Sequence, residues 1–303
     1  MTSQEIKQLL HDAGAYTAGV AEACPVDDDA MERYAGWLGS GAHGEMHYLE
    51  NHAELRRDPA KLLEGARSVI SCAFNYYYPI TRSAGEPRWA MYALGTDYHE
   101  VVRRRLESVA TCITQLTGAA CRVCVDSAPI LEHYWAVKAG IGFMGLNRQL
   151  IIPDAGTHFF LGEILTTLPL EADTPSTGSC LGCRRCITAC PGKALSAGSP
   201  LDATRCLSYL TIEHRGDFPE GHTPLGTHVY GCDTCQSVCP HNSHPPISNI
   251  PEFAPRPEIL ALTREEILRM TQPDFSRIFT HSAIKRTKLA GLIRNALHLG
   301  KHT

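Results

Sequence analysis

The sequence predicts an α+β chain in three successive parts: a mixed helix and strand unit over residues 1–170, a cysteine-rich unit over 171–250 and a short helical tail over 251–303. Three observations carry this. Apolar residues switch between helical and strand spacing as far as about residue 170. Eight of the 13 cysteines then crowd into Cys180 to Cys239. A polar stretch from Leu170 to Ser179 precedes them and a Pro-rich stretch from His244 to Pro257 follows, as linkers between compact units do. With 44% hydrophobic and 20% charged residues among 303, the balance is that of a globular protein, which excludes a disordered or collagen-like chain.

Each element has its own signal. Thr2-Ser3-Gln4-Glu5 reads as a capping box, and Ile6, Leu9, Leu10 and Ala13 keep helical spacing up to Gly14, which suits a C-terminal cap. A second helix is expected from Asp28 to Leu38. Ser68 to Phe74 reads as a buried strand after the turn-like Arg57-Asp58-Pro59. From Tyr98 to Leu116 the apolar Val102, Leu106, Val109, Ile113 and Leu116 recur every three or four positions, and Arg103, Arg104 and Arg105 read as a solvated face. Arg122 to Val125 is a short strand, Leu131 to Ala139 a helix, and Gln149 to Ile152 with Phe159 to Thr167 are strands joined by a polar turn. The tail is helical from Thr263 and carries the basic Lys285-Arg286-Thr287-Lys288.

Composition narrows the function. The apolar runs are short and broken by Gly, Pro or charge, and the N-terminal stretch carries acids where a leader would be basic or apolar, so a cytoplasmic protein with no membrane anchor is expected. A net charge of −4 gives the whole protein no attraction to nucleic acid and leaves that task to a local basic face.

An odd cysteine count without an export signal points to metal rather than a disulfide framework. Cys180-x2-Cys183-x2-Cys186-x3-Cys190-Pro191 is the bacterial ferredoxin run, whose fourth cysteine serves a second cluster. A matching set follows as Cys206, then Cys232-x2-Cys235-x3-Cys239-Pro240. The crossing rule assigns Cys180, Cys183, Cys186 and Cys239 to one [4Fe–4S] cluster and Cys190, Cys206, Cys232 and Cys235 to the other. Zinc also takes CxxC pairs, but three cysteines at two-residue gaps followed by Cys-Pro, present twice, favour iron and sulfide. Cys24, Cys72, Cys112, Cys121 and Cys124 lack such spacing and read as core or surface thiols.

Gly140-Ile141-Gly142-Phe143-Met144-Gly145 spells G-x-G-x-x-G, yet it follows a helix and leads into a strand, the reverse of a dinucleotide site. Asp126 ends a strand just before Ser127-Ala128-Pro129 and a helix, where an acid is either an active-site carboxylate or a helix cap.

Together, Arg56-x-Asp58-Pro59, Tyr92-x-x-Gly95-x-Asp97-Tyr98-His99, Val125-Asp126-Ser127-Ala128-Pro129-Ile130-Leu131-Glu132, Ala139 to Asn147, Phe160 to Ile164, Cys206 to Gly216 and Tyr230 to Pro240 closely resemble the epoxyqueuosine reductases, in the same order over nearly the whole chain. The resemblance implies reduction of the epoxide of epoxyqueuosine, at the wobble position of tRNA, to the alkene of queuosine, with cobalamin and two [4Fe–4S] clusters. It implies a first domain similar to the cobalamin-binding domain of reductive dehalogenases and distantly nitroreductase-like, then a ferredoxin-like double-cluster domain. Arg56, Asp97, Tyr98, Asp126, Asn147, Ser208 and Asp233 become cobalamin-pocket candidates. Asp126 becomes the acid that neutralises the departing oxygen, in a pocket apolar enough to keep it protonated. Glu132 reads as a surface or capping residue, and His99 as a helix-start hydrogen-bonding residue. The Asp-x-His-x-x-Gly pattern of histidine-ligated cobalamin proteins fails at Val102. Implied partners are a tRNA bearing epoxyqueuosine and a low-potential electron donor, acting on a monomer, with Arg215, Lys285, Arg286 and Lys288 as candidates for a basic face. The family usually has Lys at Leu146, near the cobalamin pocket, and longer members add helical HEAT-like repeats. A dehalogenase-like enzyme shares cobalamin and clusters but typically carries an export leader. A pure electron-transfer protein needs only residues from about 175 to 242.

Overall fold

The computed structural model describes residues 1–81, 85–180 and 182–300. Strand β2, Ser68–Asn75, is buried at every position because it pairs on both sides and is covered on both faces. It runs antiparallel to β1, Thr17–Glu22, with Val20 opposite Ile70, and to β7, Phe159–Thr166, with Ile164 opposite Ile70. Strand β4, Cys121–Cys124, closes the order β1-β2-β7-β4. Its ladder stops at Cys124 opposite Glu163, one residue short of the expected end, and Val125 turns the chain toward Asp126. Strand β1 escaped sequence reading because its Thr-Ala-Gly-Val-Ala-Glu is mostly small residues with no long apolar alternation.

Helices α1, Ser3–Asp12, and α4, Tyr98–Thr117, cover one face through Ile6, Leu10, Val102, Leu106 and Ile113. The Thr2–Glu5 capping box is present, with Ala13 as C-cap and Gly14 one residue beyond. Leu116, expected on the apolar stripe, is 70% exposed at the end of α4. The Arg run is more than a solvated face: Arg104 and Arg105 both pair with Glu252, and Arg105 also donates to the Ala13 carbonyl. These bonds hold the Pro-rich stretch against the first unit, and Ile250 and Phe253 enter its core. Helix α5, Glu132–Lys138, lies on the opposite face through Trp135 and Ala136. Helices α2, Asp28–Gly39, and α3, Ala53–Arg57, flank it. The glycine motif sits where its refusal as a dinucleotide site requires: Gly140, at φ +75°, ends α5 and leads into the β5 (Phe143–Met144) and β6 (Leu150–Ile151) hairpin.

The cysteine-rich part contains α6 (Arg185–Ala189), α7 (Leu207–Ile212), β8 (His228–Tyr230) and α8 (Thr234–Ser237). Packing crosses both composition changes. Strand β3, Arg88–Trp89, pairs in parallel with β8, and Trp89 and Leu94 share a core with Val229, Tyr230 and the tail. That tail is α9 (Pro257–Leu260), α10 (Arg264–Arg269), α11 (Gln272–Ile278) and α12 (Lys288–Leu297). Among the described residues no helix is long and apolar enough to cross a membrane.

Two consecutive residues of α12 bolt the tail to α7. Arg294 is 8% exposed, and its guanidinium donates to the Leu210, His214 and Gly216 carbonyls and to Asn295 Oδ1, with the Phe218 ring 4.1 Å away. Asn295 Nδ2 donates to the Thr211 and Val229 carbonyls. Arg294→Met keeps the volume but leaves these carbonyls without their donor. It should destabilise the protein by about 3 kcal/mol or more, seen as a lowered midpoint in thermal unfolding.

Candidate active site

Asp126 follows β4 on a tight turn in which the Ser127 N–H donates to the Val125 carbonyl at 2.5 Å. Its φ of +49° lies in the left-handed region, uncommon for a residue with a Cβ. Asp126 Oδ2 accepts from His99 Nε2 at 2.7 Å, and His99 Nδ1 is 2.7 Å from Asp97 Oδ1. Asp97 caps α4 by accepting the His99 N–H, so the first turn of that helix fixes both side chains. The His99 ring stacks on Tyr98 at 4.1 Å, and Tyr98 on Phe160 at 4.3 Å.

A carboxylate on each ring nitrogen requires both to carry hydrogen, the imidazolium form. Burial by itself would pull the His99 pKa down, but the hydrogen bonds and charges of Asp126 and Asp97 outweigh it and push it up to about 9. This overturns the apolar pocket expected around Asp126. The Asp126 side chain is 52% exposed and lies 2.7 Å from His99 Nε2, against a polar ring rather than an apolar wall.

Glu132 is not a surface residue and caps no helix. Its half-buried Oε1 accepts the Asp126 N–H at 2.6 Å. Burial first, and the Asp126 charge second, hold its carboxyl well above the usual carboxylate range. Glu163, fully buried on β7, accepts from Ser71 Oγ at 3.1 Å and has no partner on Oε2. Burial, then the nearby Glu132, raises its pKa as well. Sequence reading missed the roles of Glu132 and Glu163, since spacing does not reveal which acids fold together.

Two cavities, of about 650 and 340 Å³, meet at Tyr92, Tyr98 and Asp126. Arg56, Tyr98, His99 and Asp126 line the larger one; Tyr98, Asp126, Glu132, Ser208 and Asp233 line the other. Arg56 Nε is buried without a hydrogen-bond partner, as suits a polar group awaiting a ligand. Asp97 lines neither cavity and acts through His99.

The cysteines gather into two tetrads. Cys180, Cys183, Cys186 and Cys239 line a void of about 320 Å³. Cys190, Cys206, Cys232 and Cys235 line another of about 340 Å³, which shares Tyr92 and Ser208 with the Asp126 cavities. Zinc draws four sulfurs to about 2.3 Å around a single ion, so voids of this size suit a multi-atom cluster better. Burial, then the neighbouring thiols, raises the Cys235 pKa, and burial lifts Cys232 to about 11. Such thiols become thiolates when a bound cation supplies the charge. Asn147, 4% exposed with Nδ2 unpartnered, lines both tetrad voids rather than the Asp126 cavities. Leu146 lies at the first tetrad, its N–H 3.3 Å from Cys180 Sγ, and not among the residues lining the Asp126 cavities.

At the cavity mouth Arg286 forms a two-oxygen pair with Glu213 and lies 5.2 Å from the Tyr48 ring. Arg215, though exposed, donates to the Ile212 and Arg286 carbonyls, and Lys285 and Lys288 are exposed.

Residues 56–127 match the family described as epoxyqueuosine reductase QueG, DUF1730, and residues 179–242 match the 4Fe-4S double cluster binding domain. An epoxyqueuosine reductase of Cyclobacterium marinum is 39% identical over 99% of this chain and 97% of its own length. The chain belongs to the epoxyqueuosine reductase family. The Escherichia coli epoxyqueuosine reductase is 37% identical over 98% of this chain and 80% of its own. A solved epoxyqueuosine reductase holding an epoxyqueuosine-modified tRNA-Tyr stem loop superposes with a TM-score of 0.87 at 29% identity, covering 97% of this chain and 79% of that one. A Bacillus subtilis epoxyqueuosine reductase, described with its aspartate-bearing catalytic loop swung out of the active site, gives 0.85 at 29% identity over 97% of this chain and 79% of that one.

The raised His99 pKa of this reductase has a definite pH consequence. A histidine whose folded pKa exceeds the unfolded value of about 6.5 contributes stability that is complete below that value and lost as pH rises through about 9. Imidazole nitrogen NMR should find His99 cationic at neutral pH with a midpoint near 9, and Asp126→Asn should lower that midpoint.

Proposed function

We propose that this chain reduces the epoxide of epoxyqueuosine in tRNA to the alkene of queuosine, as a cytoplasmic monomer, using two [4Fe–4S] clusters and cobalamin. One observation carries the reading: the Asp97–His99–Asp126 chain opens into the same space that Ser208 and Cys232 of the second tetrad border. A proton source and an electron source therefore face one chamber. Deoxygenating an epoxide consumes two electrons and two protons and releases water.

Cys180, Cys183, Cys186 and Cys239 would hold one cluster, and Cys190, Cys206, Cys232 and Cys235 the other, fed by a low-potential donor. Arg56, Tyr98, Asp126, Ser208 and Asp233 would border cobalamin, with Arg56 Nε offering an unused donor; Asp97 supports this wall through His99, and Asn147 spans the tetrads. Bound there, cobalamin supplies a strongly reducing centre reactive toward strained carbon. The chain's own contribution is the proton. It starts on His99 Nε2, 2.7 Å from Asp126 Oδ2, and Asp126 delivers it to the oxygen as the carbon–oxygen bond breaks. Asp97 keeps the imidazole oriented throughout. Tyr92, Tyr98 and Tyr230 wall the chamber. Lys285 and Lys288, exposed on the segment at the mouth, offer charge to tRNA phosphates; Arg286, paired with Glu213, and Arg215, its guanidinium committed to carbonyls, offer less.

Incubation with tRNA carrying epoxyqueuosine, cobalamin and a strong reductant should remove one oxygen from the modified base, read by mass spectrometry. Asp126→Asn should lower turnover roughly a hundredfold or more while iron and cobalamin stay bound; a wild-type rate would refute the assignment. Anaerobically purified protein should contain about eight iron and eight sulfide per chain. Cys206→Ala should lose one cluster and keep the other.

A further inference from the structure

We infer that Glu132 is a positioning residue for Asp126: by accepting the Asp126 N–H, its carboxyl oxygen fixes the left-handed turn that aims the Asp126 carboxylate at His99 and the chamber. The inference rests on Asp126 being the acid of the proposed reaction.

The turn is one that a residue with a Cβ adopts only where its surroundings impose it. Three bonds impose it here. The Ser127 N–H closes on the Val125 carbonyl, Asp126 Oδ2 meets His99 Nε2 at 2.7 Å, and the Asp126 N–H meets Glu132 Oε1 at 2.6 Å. The first is internal to the turn and travels with it. The second moves with the side chain. Among the described residues Glu132 alone ties the Asp126 backbone to a fixed element, because it opens α5, whose Trp135 and Ala136 are buried on the sheet.

The side chain is committed to this task. Helix α5 has no side-chain cap at its N-terminus, so Glu132 leaves its own helix amides and reaches back six residues. Each element packed around it presents an ionisable group: Asp126 on the loop, His99 and Tyr98 on α4, Glu163 on β7, Cys72 on β2 and Cys124 on β4. Two of these neighbours are acids, so a carboxyl is a costly choice if only packing were required. An acceptor aimed at one N–H accounts for it.

The test compares Glu132→Ala with Glu132→Gln in the full chain loaded with clusters and cobalamin. The amide oxygen of Gln accepts the same N–H, whereas Ala offers nothing. Glu132→Ala should lose roughly tenfold or more in kcat with KM for tRNA unchanged. Without any substrate, its His99 midpoint should fall from about 9 toward the ordinary imidazole value of about 6.5, since the imidazolium loses its Asp126 partner. Glu132→Gln should retain both wild-type kcat and the raised midpoint. Wild-type behaviour of the Ala variant in both measurements would overturn the inference, as would a Gln variant that fails as badly as Ala, because then the proton and not the acceptor matters. If Asp126→Asn turns over normally, the catalytic reading fails. The substrate-free His99 titration of Glu132→Ala still decides separately whether Glu132 holds the turn.

Discussion

Cys190 leaves the run that begins at Cys180 and faces Cys206, Cys232 and Cys235, while Cys239 leaves the later run and faces Cys180, Cys183 and Cys186. Neither run closes its void alone, so the chain between them must fold back on itself. That constraint brings β8 beside β3 of the first unit and sets α7, which starts one residue after Cys206, against the wall of the Asp126 chamber. Ser208, Cys232 and Asp233 reach the chamber for this reason, although some eighty residues or more separate them from Asp126 in sequence. The Arg294–Asn295 bolt then holds α7 from behind through backbone carbonyls, which gives a short tail a direct part in placing the tetrad.

The chamber is organised by charge as much as by shape. Asp97, Asp126, Glu132 and Glu163 would repel one another in a low-dielectric interior if all were ionised. His99 offsets this between Asp97 and Asp126, while burial holds Glu132 and Glu163 toward their neutral forms. A carboxylate that is half exposed and paired with an imidazolium differs from an acid kept neutral by an apolar pocket.

Much was legible in the sequence. The capping box at Thr2, the helical stripe of α4, the buried run of β2 and the helix ending at Gly140 are local patterns, and the structure contains each of them. Spacing alone pointed to two clusters, because three thiols at two-residue gaps already lie within one ligand shell, and residues 179–242 match a double-cluster domain. Position at the end of a strand singled out Asp126. Periodicity did not reveal that Arg104 and Arg105 reach Glu252, that β3 pairs with β8, or that Leu146 sits at the first tetrad.

Local chemistry, then, was written in the chain: which residues cap, which alternate, which spacings bind iron and sulfide. Only tertiary structure decided what surrounds Asp126. Its carboxylate environment depends on His99, 27 residues earlier on α4, and its backbone on Glu132, while Glu163 comes from the strand opposite Cys124. A side chain's protonation and aim are set by the fields and hydrogen bonds of groups brought near by folding. Those neighbours belong to α4, α5 and β7, elements that no stretch of sequence places side by side.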